Sequence, residues 1–134
     1  GKLATTGRSP ISTEGAPAAI GPYSQAMDVD GWVYCSGQIP IVPEDGSIVH
    51  GIEAQTKQVL VNLGEVLSAA GCDYSDVVKT TIYLSDIGNF VAMNQVYAQF
   101  FTEPFPARAC IEAAALPKNV KVEIDAIARK RATS

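Results

Sequence analysis

At 134 residues and a net charge of −4, the chain is long enough for one domain and too acidic for the basic footprint of a nucleic-acid binder, so no nucleic-acid partner is expected. Hydrophobic residues make up 47% and charged residues 18%, below the roughly 25% charge of a typical soluble chain, so part of the apolar surface is expected to meet another subunit. No apolar run reaches the roughly 20 residues that span a bilayer, and three scattered cysteines without a CxxC pair fit neither a disulfide framework nor a zinc site.

Gly1 to Gly15 is rich in Thr, Ser and Gly, lacks hydrophobic periodicity and reads as a flexible lead-in to one domain over residues 16–131. Gly1 in place of Met reads as a processed start or as a scar of recombinant expression. Reduced thiols suggest a cytoplasmic protein, with an organelle-transit remnant as the alternative. After the Gly21-Pro22 pair an extended run is expected from Tyr23 to Val29. Asp30-Gly31 predicts a tight hairpin turn into a second strand, Trp32 to Gly37, and Pro40 and Pro43 then argue against an interior strand.

From Ile52 the period changes from 2 to 3.6: Ile52, Thr56, Val59, Leu60, Leu63, Val66, Leu67 and Ala70 share one stripe, with Glu53, Lys57, Asn62 and Glu65 off it. This predicts a helix of about five turns that Gly71 terminates. Val77 to Leu84, dense in β-branched residues, predicts a strand. Ser85 and Asp86 offer caps for a second helix reaching about Phe101, and strands from Pro106 to Ala113 and from Val120 to Ala128, joined by a Leu116-Pro117-Lys118-Asn119 turn, close the chain. The order ββ-α-β-α-ββ fits an α+β domain with two helices on one face of a mixed sheet, leaving the other face for partner subunits.

Arg108, Cys110 and Glu112 share one face of their strand. An arginine there presents a fork suited to a carboxylate, as a substrate clamp or in an ion pair with Glu112 or Glu123. Cys110 reads as a nucleophile beside that guanidinium or as a small buried hydrophobe; His50, the only histidine, follows a turn in a Ser-Ile-Val-His-Gly loop and reads as surface, so Cys-His and Ser-His schemes are weak. Glu123 shares its face with Lys121 and Asp125, either as a general base toward water or as part of a solvated face. Tyr23 and Asn94 are candidate pocket walls or satisfied core polar groups, and Ser36-Gly37 offers a hydroxyl and close backbone approach.

Taken together, Ala18-Ala19-Ile20-Gly21-Pro22-Tyr23-Ser24-Gln25-Ala26, Ser36-Gly37-Gln38-Ile39-Pro40, Val78-Lys79-Thr80-Thr81, Asn94-Gln95-Val96-Tyr97, Phe105-Pro106-Ala107-Arg108 and Val122-Glu123-Ile124-Asp125-Ala126-Ile127-Ala128 resemble the Rid (YjgF-type) family of reactive intermediate deaminases. The resemblance implies a chorismate-mutase-like two-layer fold, a homotrimer with clefts between subunits, and cofactor-free, metal-free hydrolysis of short enamines and imines such as 2-aminoacrylate and 2-aminocrotonate to 2-keto acids and ammonia. It implies that Arg108 holds the substrate carboxylate, that Glu123 positions water, and that Tyr23, Ser36, Gly37, Asn94 and Cys110 line the cleft. Two other readings stay open: a trimer that binds 2-keto acids or acts as a chaperone without turnover, and a translation-inhibiting ribonuclease, which the acidic charge disfavours.

Overall fold

The computed structural model describes residues 7–132. Its strands are β1 (Arg8–Ile11), β2 (Ala26–Val29), β3 (Trp32–Gln38), β4 (Val77–Leu84), β5 (Ala107–Glu112) and β6 (Val122–Arg129), and its α-helices are α1 (Ile52–Ala69) and α2 (Phe90–Tyr97). The strands form one sheet in the order β1-β2-β3-β6-β4-β5. Only the β4–β5 pair is parallel, joined through α2 as a parallel pair requires; every other pairing is antiparallel. The fold is α+β with a mixed sheet.

α1 follows its sequence stripe. Val59, Leu60, Leu63, Val66 and Leu67 are fully buried against β3, β6 and α2, each contributing about 1.5–3 kcal/mol of gross apolar burial. The helix stops because Gly71 adopts φ +84°: its N–H donates to the Ser68 carbonyl at 3.0 Å and the Cys72 N–H to the Leu67 carbonyl at 2.8 Å, satisfying the last carbonyls. Alternation does the same for the sheet. Val33, Cys35, Ile82, Leu84, Val122, Ile124, Ala126 and Ala128 turn toward the helices and are buried.

The β2–β3 hairpin turns through Asp30 and Gly31, both at positive φ, as a two-residue turn compatible with strand twist demands.

Several expectations are corrected. Part of the expected lead-in over residues 1–15 is a strand: Arg8–Ile11 pairs with β2 at the sheet edge, where Pro10 is tolerated, while residues 1–6 lie outside the described residues. The extended run begins at Ala26 instead of Tyr23, because the Tyr23 N–H closes a tight turn onto the Gly21 carbonyl at 2.8 Å. The second helix ends at Tyr97, and its continuation tightens into bonds from Gln99 N–H to the Val96 carbonyl and from Phe100 N–H to the Tyr97 carbonyl. Asn62, expected off the apolar stripe, is fully buried; its amide donates to the carbonyls of Ile39 (3.1 Å) and Ile41 (2.9 Å), pinning that proline-bordered loop to α1. The last two strands follow each other in sequence as expected, and the sheet places β4 between them.

The second sheet face carries no helix. Trp32, Tyr34 and Ile111 stand on it at 41%, 48% and 49% exposure, beside the half-buried Ile127.

Candidate functional site

Glu123 and Arg108 occupy opposite faces of the sheet. Glu123 alternates with the buried Val122 and Ile124 and therefore points to the helix-free face. Arg108 pairs in register with the buried Thr80 and reaches the side chains of α2, on the helix face. Within one chain the two do not meet.

The Glu123 half of the site depends on a bulge. Between the pairs Cys35↔Ala126 and Gln38↔Ile124, β3 carries one more residue than β6, and the irregularity falls at Ser36-Gly37. A Cβ built on Gly37 would overlap the Glu123 carboxylate, so glycine's missing side chain is what lets Glu123 lie across the strand. Ser36 is fixed by donating its hydroxyl to the Ser24 carbonyl at 2.6 Å and its N–H to the Gln25 carbonyl at 3.0 Å. Glu123, Gly37 and Ser36 border a cleft of about 760 Å³ whose walls include Tyr23, Ile39 and Lys118. Burial, and then the Asp125 charge next on the same face, push the Glu123 carboxyl above its ordinary value. Asp125 itself accepts a hydrogen bond from the Tyr83 hydroxyl at 2.9 Å.

Tyr23 is half exposed at the cleft wall, on a segment without regular structure. The buried Gln25 holds that segment: its Oε1 accepts from the Thr13 N–H at 2.7 Å, and its Nε2 donates to the carbonyls of Pro17 (2.7 Å) and Thr13 (3.1 Å). Sequence reasoning missed Gln25, Asn62 and Lys118 as builders of this cleft. A polar residue's burial by partners far along the chain has no local signature.

The second half lies on the edge strand. The Arg108 guanidinium sits 4.9 Å from the Tyr97 ring centroid and 5.5 Å from that of Phe90, and its Nη1 donates to Asn94 Oδ1 at 2.6 Å. Tyr97 is in turn fixed by a 2.8 Å hydrogen bond between its hydroxyl and that of the buried Thr80. Asn94 thus orients Arg108. Among the described residues no salt bridge engages Arg108; Glu112, the ion-pair alternative, instead accepts from the Ile87 N–H at 2.8 Å. The guanidinium keeps donors available to an anion from outside the chain.

Cys110 stands next to Arg108 on the same face, half-buried. Burial pushes its thiol up more than the Arg108 charge pulls it down, so it stays protonated at neutral pH, which suits a wall better than a nucleophile. His50 is exposed and away from the cleft lining. Among the described residues no group of three or more His, Cys, Asp or Glu side chains is placed to hold a metal, and no helix is long and apolar enough to cross a membrane.

The chain matches the profile of the family described as Endoribonuclease L-PSP over residues 13–130. A goat (Capra hircus) protein named 2-iminobutanoate/2-iminopropanoate deaminase is 56% identical over 88% of this chain and 87% of its own length. RidA from an Antarctic Psychrobacter is 43% identical in sequence, and its solved structure superposes with a TM-score of 0.88 over 90% of this chain and 98% of its own. Escherichia coli TdcF, solved with bound serine, gives a TM-score of 0.88 at 41% identity over 92% and 99%.

Proposed function

The chain belongs to the Endoribonuclease L-PSP, or Rid, family, and from that membership and the two half-sites we propose that it is a deaminase hydrolysing short 2-enamino and 2-imino acids, such as 2-aminoacrylate and 2-aminocrotonate, to 2-keto acids and ammonia. The observation that carries the arrangement is the placement of Glu123 and Arg108 on opposite sheet faces. A cleft that uses both draws them from two copies. The bare sheet face with Trp32, Tyr34, Ile111 and Ile127 supports such a contact, because an apolar face of this kind marks an interaction surface. A homotrimer with three such clefts is the assembly proposed.

In each cleft Arg108 of one copy, oriented by Asn94, takes the substrate carboxylate, with Cys110 beside it. Glu123 of the adjoining copy holds a water against the imine carbon, and Tyr23, Ser36 and Gly37 complete the wall. Once the enamine has tautomerised to the imine, Glu123 accepts a proton from the water as its oxygen attacks, and the carbinolamine expels ammonia. Neither a metal nor a cofactor enters the scheme. The substrate is already reactive, so orientation and exclusion of bulk water supply most of the acceleration. A cytoplasmic setting is part of the proposal, as is removal of reactive intermediates released by pyridoxal-phosphate enzymes.

The test is 2-keto acid release from serine by a dehydratase in the presence of a competing imine trap. Addition of the protein should speed release severalfold at catalytic concentration. Binding of a 2-keto acid with no acceleration would instead favour a ligand-binding trimer, and RNA cleavage lost in a cleft variant would favour a nuclease.

A further inference from the structure

Of the described residues lining the cleft, two carry charge, Glu123 and Lys118. Lys118 reaches it from a backbone that side chains rarely adopt: φ is 55° at Lys118 and 56° at Asn119, two successive left-handed residues, neither of them glycine. The surrounding structure holds this turn from both sides. The Asn119 N–H donates to the Leu116 carbonyl at 3.1 Å, the Lys121 N–H to Oε1 of the buried Gln55 at 2.8 Å, and the Ser85 N–H to the Lys121 carbonyl at 3.1 Å. Strain kept in place by its surroundings, at a cleft wall, points to a working residue.

Imine hydrolysis moves protons in two directions, away from water and onto nitrogen, and a single carboxylate begins with none to give. Building on the deaminase reading, we propose that Lys118 is a catalytic residue that shuttles the proton of the substrate nitrogen and hydroxyl while Glu123 serves the water. As Glu123 takes a proton from water, the oxygen bonds to the imine carbon, the C=N π pair moves to nitrogen, and the Lys118 ammonium protonates that nitrogen. In the collapse the neutral Lys118 amine takes the hydroxyl proton, C=O forms and C–N breaks, and the departing nitrogen takes the proton from Glu123 and leaves as ammonia. Both side chains end as they began. Among the described residues the other ionisable groups nearby are Tyr23 in the cleft, Asp125, Tyr83 and Lys121 on the sheet face of Glu123, and, in the proposed assembly, Arg108 and Cys110 of the adjoining copy.

The experiment compares native protein with Lys118→Met, Lys118→Arg and Lys118→Gly on enzymatically generated 2-aminoacrylate, after subtracting uncatalysed hydrolysis. Lys118 is exposed and glycine suits its φ, so the fold is expected to survive, as circular dichroism will check. Lys118→Met should slow turnover about 100-fold. Lys118→Arg should recover little of it, since a guanidinium does not give up its proton, and added methylamine should partly restore Lys118→Gly. A Lys118→Met rate within about twofold of native, or full activity in Lys118→Arg, would overturn the shuttle and leave the deaminase reading standing. Native protein that does not hasten imine loss would overturn both.

Discussion

The opposite-face placement of Arg108 and Glu123 makes a sharp prediction for mixed assemblies. On the proposed arrangement Arg108→Ala removes the clamp and Glu123→Ala the water holder. Each alone should cost about 2–5 kcal/mol, as expected for one partner of a desolvated charge interaction, or roughly 30- to 5,000-fold in rate. The two variants co-expressed under different tags and purified through both tags give only mixed trimers. In a closed ring of three, whether the composition is two-to-one or one-to-two, one cleft takes its arginine from the Glu123→Ala chain and its glutamate from the Arg108→Ala chain. Mixed trimers should therefore regain about one third of native activity from two nearly inactive parents. The assay is 2-keto acid formation per trimer under conditions where each parent is silent. Activity no higher than the parents', in mixed trimers of confirmed composition, would refute the two-copy cleft.

Gly37→Ala places a Cβ against the Glu123 carboxylate and should lower kcat about 10- to 100-fold with little change in thermal midpoint, read by steady-state kinetics and calorimetry. Because burial and the Asp125 charge both raise the Glu123 pKa, the acid limb of the activity profile should lie above the ordinary carboxylate range; Asp125→Asn removes one of these causes and should move the limb to lower pH, measured in kcat/KM against pH. An unmoved limb would separate it from Glu123. Asn62→Ala removes the side-chain donor to the Ile41 carbonyl and one of two donors to the Ile39 carbonyl, which keeps the Ile41 N–H, and should destabilise the protein by about 1–3 kcal/mol in urea unfolding.

Local periodicity carried the fold where one face of an element was buried uniformly. α1 and β4 have the expected extents because Leu63 or Ile82 declares its burial through its own neighbours in sequence. Arg8–Ile11 made no such declaration, as an exposed edge strand is defined by its partner across the sheet. The same limit governed the site. Alternation put Glu123 opposite Val122 and Ile124, and Arg108 beside Cys110, both as observed. It could not report that β4 inserts between the two strands, that the β3 bulge sets Gly37 beneath Glu123, or that Asn94 and Tyr97 orient the guanidinium. Each is a contact between segments distant in sequence. The family resemblance placed the cleft between subunits without saying which residue each copy supplies.

The aromatic and amide setting of Arg108 bears on how a turnover ends. A free arginine gives up substantial rotamer freedom when it grips a ligand, whereas this one is already ordered by Tyr97, Phe90 and Asn94 before any anion arrives. In the proposed reaction hydrolysis alters only the neighbouring carbon and leaves the carboxylate untouched, so a guanidinium that clamps the carboxylate grips product as firmly as substrate. Accumulated 2-keto acid then competes for the same fork, and release is driven from the far end of the molecule, where the nitrogen has gone.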